Sequence, residues 1–357
     1  MMESESRLPG LERLAGACLC VLLALVAAPH DASADLKVHF IDVGQGDAIL
    51  LDAPDGTVLV DAGEPNGLAA GFLAERDIDH LDLVVATHAH FDHIGGFLEI
   101  LPEVGAEQVW YNGQSHTTQA FEDFTDILLE LDAAYHEPAR GETETFGRLR
   151  IEVLHPTGSA AEYDGHLHDK SIVLRAVYGD VAIMLTGDAE APVERDLVQA
   201  GLDLQSDVLK LGHHGSRTST TPEFVSAVAP ALAVYQAGVD NRYGHPHEEP
   251  LQVLADAAVD VIGTDTHGMV KVITDGQDFE IAVDEVVATV NADPGCVDLN
   301  TASTAELMDI IHIHEVRSEA IVELRPWSEL RQLTRISGIG LARLSDIKEQ
   351  GIACVDP

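Results

Sequence analysis

Thr87-His88-Ala89-His90-Phe91-Asp92-His93-Ile94-Gly95-Gly96 sets four ligand-type side chains on one short turn. An apolar run at 83–86 reads as a strand leading into it, and a helical pattern follows over 94–101. On a strand-to-helix turn, His88 and His90 can face one cation while Asp92 and His93 face another. Imidazole with carboxylate suits zinc, with manganese or iron as alternatives. A polar loop whose histidines only cap a helix does not account for His-x-His-x-Asp-His followed by two glycines. The stretch is therefore read as a metal motif.

Further ligands must come from other strand ends. Runs at 171–177 and 181–185 flank Tyr178-Gly179-Asp180 and read as a hairpin. His168 precedes the first run and Asp188 follows the second, so antiparallel pairing brings them to one end of the sheet. Asp188 has two oxygens and can bridge two cations. His166 is a rival for the place of His168. A further strand, 208–211, ends in Gly212-His213-His214-Gly215-Ser216. His213 is taken as the last ligand there, with His214 behind it or on substrate. His245 reads equally as a proton donor or as a turn residue before Pro246. His155, before Pro156 at a strand end, is a weaker candidate, and His39 lies within a strand.

Around these motifs, strands are expected at 37–41, 48–51, 57–60, 83–86, 109–111, 149–154, 171–177, 181–185, 208–211, 232–235 and 269–273. Helical patterns fall at 67–76, 94–101, 119–131, 191–200 and 249–257. Gly44-Gln45-Gly46 and Pro54-Asp55-Gly56 mark turns. Strands mixed with helices over this length predict an α/β protein with sheets inside and helices outside.

Several stretches together carry a resemblance. They are Phe40-Ile41-Asp42-Val43-Gly44-Gln45-Gly46-Asp47-Ala48, Leu59-Val60-Asp61-Ala62-Gly63, the motif from His88 to Gly96, Leu185-Thr186-Gly187-Asp188, Lys210-Leu211-Gly212-His213-His214-Gly215-Ser216 and Asn241-Arg242-Tyr243-Gly244-His245-Pro246. They resemble the metallo-β-lactamase superfamily, specifically the hydrolase domain of ComEC-type DNA-uptake competence proteins, over roughly residues 36–285. The resemblance implies a four-layer αββα sandwich with two divalent metal ions, zinc or manganese, at the sheet edges. It places His88, His90 and His168 on one metal, Asp92, His93 and His213 on the other, Asp188 between them, and Asp61 as an orienting residue. In such a centre a water bridging the metals gives hydroxide near neutral pH, which attacks phosphorus in line, with His214 or His245 protonating the leaving oxygen. The resemblance does not extend to the channel-forming membrane part of those proteins, so transport is not expected.

The chain has 357 residues, 61 acidic against 20 basic, for a net charge of −41. An apolar share of 46% excludes global disorder. The acidic surface repels nucleic acid and anionic membrane unless local cations override it. At the start, the uncharged apolar run 15–28 is too short to span a membrane but suits a signal-peptide core, and Ala32-Ser33-Ala34 supplies a cleavage site before Asp35. Residues 1–34 are expected to be a signal peptide and the protein to be exported, periplasmic or extracellular. The acids Glu3, Glu5 and Glu12 are atypical of such a segment; an anchor or a buried helix is the alternative.

Residues 35–290 form the expected hydrolase domain, and Asn291-Ala292-Asp293-Pro294-Gly295 marks a boundary. Residues 293–357 read as short helices. There Asn300 or Ser303 can cap the first helix. Ile336-Ser337-Gly338-Ile339-Gly340-Leu341-Ala342 resembles the helix-hairpin-helix of ComEA-type DNA-binding proteins. That resemblance implies phosphate contact through the backbone at Gly338 and Gly340, assisted by Arg335 and Arg343. Where its first hairpin would carry glycines, this chain has Ile311-His312-Ile313-His314, which hinders backbone approach. In an exported protein Cys296 and Cys354 could pair across the module. The leading expectation is a metal-dependent phosphodiesterase acting on DNA. Alternatives are a metallohydrolase of small esters, lactones or nucleotides that uses the tail for docking, and a non-enzymatic DNA-binding or scaffolding protein.

Overall fold

The computed structural model describes residues 35–158 and 166–283, and within 296–355 all but 309, 314, 328, 329, 337, 338, 340 and 351. The expected signal peptide, Gly338, Gly340 and His314 lie outside the described residues.

The strands up to residue 283 are, in chain order, β1 (Leu36–Phe40), β2 (Ala48–Ala53), β3 (Gly56–Ala62), β4 (Leu83–Ala86), β5 (Gln108–Tyr111), β6 (Ala134–His136), β7 (Thr143–Phe146), β8 (Leu149–His155), β9 (Val173–Tyr178), β10 (Val181–Leu185), β11 (Val208–Lys210), β12 (Leu232–Tyr235), β13 (Asp260–Gly263), β14 (Val270–Thr274) and β15 (Phe279–Val283). They form two mixed sheets. One has the order β15-β14-β1-β2-β3-β4-β5-β6, the other β13-β12-β11-β10-β9-β8-β7.

Side chains alternate across each strand, and both faces of these sheets are covered. In β1 and β2, Leu36, Val38, Phe40, Ile49 and Leu51 point into the core between the sheets. They meet Ile151, Leu174, Ile183, Val208 and Val234 from the other sheet. Ala48 and Leu50 point outward, into a second core with Phe72, Leu73, Phe97, Leu101 and Phe124 from the helices Leu68–Ala74, Phe97–Val104 and Gln119–Glu130. On the far side, Met184, Leu209, Ala233 and Tyr235 pack under the helices Ala191–Gln199, Pro222–Val228 and Glu248–Asp256. Helix, sheet, sheet, helix is the αββα arrangement of the metallo-β-lactamase fold. Burial on both faces explains why the inner strands read as nearly continuous apolar runs.

The expected single helix over 94–101 is instead a short turn, Phe91–Ile94, followed by Phe97–Val104. Gly95 and Gly96 separate the two. A Cβ on Gly96 would lie 2.1 Å from the Ala62 carbonyl oxygen, so this break seats the turn against β3.

Residues 296–355 build a core of their own from Leu299, Leu307, Ile310, Ile321, Trp327, Leu333, Ile336 and Ile347. Its helices are Thr304–Leu307, Glu315–Glu323 and Leu341–Gln350, with a 3-10 segment Leu330–Arg335. Ser303 caps the first: its hydroxyl accepts from the Glu306 N–H at 3.4 Å, and Glu306 accepts from the Ser303 N–H at 2.8 Å. Asn300 does not cap; it brackets the Trp327 backbone, donating to its carbonyl at 2.9 Å and accepting its N–H at 2.7 Å. A parallel pair, β16 (Val297–Asp298) and β17 (Ala353–Cys354), closes the unit, and Cys296 is disulfide-bonded to Cys354. Among the described residues no helix is long and apolar enough to cross a membrane.

Candidate metal centre

Three strand ends converge. β4 leads into the turn that carries His88, His90, Asp92 and His93. β9 and β10 pair antiparallel with Leu174 opposite Leu185, which sets His168, on the 3-10 turn Leu167–Lys170, beside Asp188. β10 and β11 run parallel, so Asp188 and the Gly212–Gly215 segment leave the sheet side by side. Two glycines make the junctions tight. Gly46 has φ +127°, and a Cβ there would sit 2.2 Å from the Asp92 carbonyl oxygen, which accepts the Asp47 N–H at 3.1 Å. Gly187 has φ +49°, and a Cβ would press on Ser171 Oγ at 2.5 Å, the hydroxyl that receives the Asp188 N–H.

Two of the donor clusters share Asp188: one with His88, His90 and His168, the other with Asp47, His93 and His214, while Asp92 reaches the second through His214. In the first, His88 Nε2 lies 2.9 Å from His90 Nδ1, which lies 3.1 Å from His168 Nε2. Asp188 Oδ2 is 3.5 Å from His88 Nε2 and 3.6 Å from His168 Nε2. In the second, Asp188 Oδ1 is 3.2 Å from His93 Nε2 and 3.5 Å from His214 Nε2. His214 Nε2 is also 3.3 Å from Asp92 Oδ2.

The donor set fits divalent cations. Asp188 Oδ1, His93 Nε2 and His214 Nε2 are buried, have no hydrogen-bond partner, and point at one another. Orphaned buried polar atoms cost about 1–3 kcal/mol each, and a shared cation removes that cost. Imidazole nitrogens with carboxylate oxygens suit zinc or manganese.

Charge in the centre follows from burial and crowding. Burial pushes the Asp188 carboxyl up, but His93 and His214 outweigh it and hold the group well below the usual range. Asp92 is likewise raised by burial and brought down further by His214 and His93. Burial, followed by the other imidazoles, drives His88 well down and His90 to about 4. Those are the ionisation states a metal requires. His93 and His214 go the other way. Burial lowers them, but neighbouring carboxylates raise His93 well above its ordinary value and His214 to about 10. This cluster of carboxylates calls for positive charge, supplied by protons on these rings or by a divalent cation.

Carboxylates behind the donors fix their orientation. Asp61 Oδ2 accepts from His93 Nδ1 at 2.8 Å and from the Thr87 hydroxyl at 2.7 Å. Asp47 Oδ1 lies 3.1 Å from His214 Nδ1, and its other oxygen is 2.7 Å from the buried ammonium of Lys210. Glu190 Oε1 lies 3.0 Å from His168 Nδ1 and 3.2 Å from His213 Nδ1. A carboxylate only accepts, so both rings carry a proton on Nδ1 and turn Nε2 toward Asp188.

The sequence reading joined His213 to Asp92 and His93; in the structure the ring in that place is His214. His213 leans toward the first group, its Nε2 3.8 Å from Asp188 Oδ2. Both residues are left-handed, φ 49° and 55°, so adjacent side chains leave the backbone toward different groups. His166 is exposed at the start of the His168 turn, belongs to neither group, and donates its backbone N–H to Asp169 Oδ2 at 3.1 Å. His155 Nε2 bonds the Asp169 carbonyl at 2.8 Å. His245 stands at the rim, its ring 5.4 Å from that of His213 and 6.0 Å from that of His214, with Nδ1 buried and unpartnered. Burial and then His214 lower it to about 4. Asp47, Glu190, Lys210 and the rim residue His116, 6.1 Å from His90, were not singled out from sequence. Asp47 and Lys210 do lie in the quoted motifs, and Glu190 follows Asp188 by two positions. In the tail, the Arg335 guanidinium lies 5.6 Å from the Trp327 ring centre, and Arg343 is exposed on Leu341–Gln350.

Comparison with known proteins agrees with this architecture. The profile of the metallo-beta-lactamase superfamily matches residues 41–238, and that of the helix-hairpin-helix motif matches 294–350. ComE operon protein 3 of Bacillus subtilis is 30% identical over 291 residues, 76% of this chain and 37% of the relative. Competence protein ComA of Neisseria gonorrhoeae is 30% identical over 236 residues, 64% of this chain and 31% of the relative. A deoxyribonuclease of Thioalkalivibrio is 44% identical over 91 residues, 26% of this chain and 25% of that protein. The chain thus spans about a third or less of the length of these relatives.

Proposed function

The chain belongs to the metallo-β-lactamase superfamily, and from that premise we propose that it is a metal-dependent phosphodiesterase acting on DNA. The observation that carries the proposal is the pair of donor groups sharing Asp188, three of whose buried atoms lack any other partner. His88, His90, His168 and Asp188 Oδ2 would hold one divalent ion, and Asp92, His93, His214 and Asp188 Oδ1 the second. Bound there, zinc or manganese supplies Lewis acidity, which makes water nucleophilic and offsets charge on phosphate. Asp61, Asp47 and Glu190 hold the imidazoles in the ligating tautomer, and Lys210 keeps Asp47 ionised. His214 has Nδ1 held by Asp47 and Nε2 turned to the second donor group, so His245, the next ring at the rim, is the group we assign to hydrogen-bond the substrate oxygen.

DNA is favoured as substrate by the nuclease-named relative and by the helix-hairpin-helix match, which suggests sequence-independent backbone contact at Gly338 and Gly340 with Arg335 and Arg343 nearby. Export is proposed from the apolar run 15–28 with Ala32-Ser33-Ala34, and the disulfide suits an oxidising compartment. The net charge of −41 favours a second reading, hydrolysis of small esters or nucleotides, because an acidic surface repels a polyanion. The mature chain should degrade single- or double-stranded DNA with manganese or zinc and lose that activity in chelator. Intact DNA together with rapid hydrolysis of a small ester would establish the second reading instead.

A further inference from the structure

The segment from Gly238 to His247 joins β12 to the helix Glu248–Asp256 at the rim of the centre, and it is built to be rigid. The Asn241 amide donates to the carbonyls of Gly238, at 3.0 Å, and His245, at 2.6 Å, and accepts the His245 N–H at 3.0 Å. Gly238 packs so closely that a Cβ would sit 2.9 Å from the Gln45 nitrogen, and Pro246 lies against Gly215. This frame holds out Arg242 and Tyr243, both exposed. The Tyr243 ring stacks on His245, 5.7 Å between centres at 22°, and His245 in turn packs on His213 and His214. The Arg242 guanidinium lies 4.8 Å from the Tyr243 ring centre and donates to its hydroxyl at 2.5 Å. Among the described residues no carboxylate forms an ion pair with Arg242, although acids outnumber bases 61 to 20 in the chain. A shallow groove lined by Arg217, Pro246, His247 and the acids Glu248, Glu249 and Asp256 continues from the same loop, so the cationic part of this surface is confined to Arg242 and Arg217.

An exposed tyrosine beside an exposed guanidinium that no carboxylate contacts within ion-pair distance matches a single-stranded nucleotide, which offers a flat base and an adjacent phosphate. Stacking also suits this protein physically, because it draws on a base without requiring a basic surface. We propose that Tyr243 and Arg242 form a nucleotide subsite for the unit next to the phosphate being cut. The base stacks on Tyr243, displacing the guanidinium that covers the ring, and Arg242 turns to the phosphate. The subsite rests on the phosphodiesterase reading above and specifies its substrate as a single strand with a base beside the cleaved bond.

The test uses the full chain and a short phosphorothioate-linked oligodeoxythymidine, beside the same strand with abasic residues, read by fluorescence anisotropy. The wild-type protein should prefer the strand with bases by about fivefold or more. Tyr243→Ala should bring that ratio near one, and Tyr243→Phe should keep it. Arg242→Gln should weaken both strands alike and reduce the salt slope by about one. Equal thermal stability and metal content across the variants would show that the loop still folds. An unchanged ratio in Tyr243→Ala, a wild-type ratio near one, or no binding of either strand would each overturn the subsite. Base-dependent binding without cleavage of any DNA would instead refute the phosphodiesterase reading, and cleavage with a flat ratio would refute the subsite alone.

Discussion

Glu190 holds two imidazoles with one carboxylate oxygen, and that contact has a measurable consequence. Glu190→Ala frees the rings of His168 and His213 to turn, so binding at the first donor group should weaken roughly 10- to 100-fold while the second group keeps its affinity. A cobalt titration followed in the visible spectrum reads the two steps separately; two unaltered steps would remove Glu190 from any orienting role. His39 makes a different prediction. It is buried edge-on against Phe72, 5.2 Å away, and burial with nearby Arg76 lowers its pKa from 6.5 to about 3. The unfolded chain therefore binds a proton there that the native chain refuses. The stability it confers is complete above pH 6.5 and is lost as the pH falls toward about 3. His39→Phe should make acid unfolding shallower across that interval; an identical pH profile would contradict the assignment. At this scale the clustering of His88, His90, His93 and Asp188 was legible in the motifs that carry them. The exchange between His213 and His214 was not, because it depends on two left-handed residues that neither histidine announces.

Besides the two-residue strands β16 and β17 of the tail, four strands escaped the sequence reading, β6, β7, β13 and β15, and they are the outer strands of the two sheets. An inner strand is apolar on both faces and stands out. Ala134–His136 is exposed throughout and Thr143–Phe146 alternates exposed with half-buried, so no apolar pattern marks them. The helix Pro222–Val228 was missed as well; it is short, with Phe224, Val225 and Val228 as its buried face. Turn elements were easier to recognise, since Gly44-Gln45-Gly46 stood out, but what that turn touches was hidden until the Asp92 carbonyl appeared against Gly46. Gly46→Ala should therefore destabilise the protein by more than about 1 kcal/mol in thermal unfolding, since φ +127° disfavours a side chain and the Cβ has no room. It should also weaken metal binding by shifting Asp92. Wild-type stability and affinity together would contradict the close approach.

Taken whole, the chain combines a large sandwich with a small helical unit whose ends are tied by a disulfide, and each part has its own core. The bond spans 58 residues of sequence, a loop for which chain entropy gives about 4 kcal/mol. Cys354→Ser should therefore raise hydrogen exchange across 297–354 while leaving the sandwich protected; equal protection in both forms would show that the helical core needs no tie. The acidic charge of the molecule makes any use of DNA depend on local features, the proposed metal centre and the loop that carries Arg242, rather than on its overall field. The central proposal is that two donor groups joined by Asp188 cut phosphodiesters. Its most direct test is the rate of DNA cleavage measured against equivalents of bound manganese. The rate should rise to a plateau at two equivalents per chain, with no cleavage by Asp188→Ala at any loading. A chain that holds both ions and leaves DNA intact, or one that cuts as fast after the metal is stripped, would contradict it.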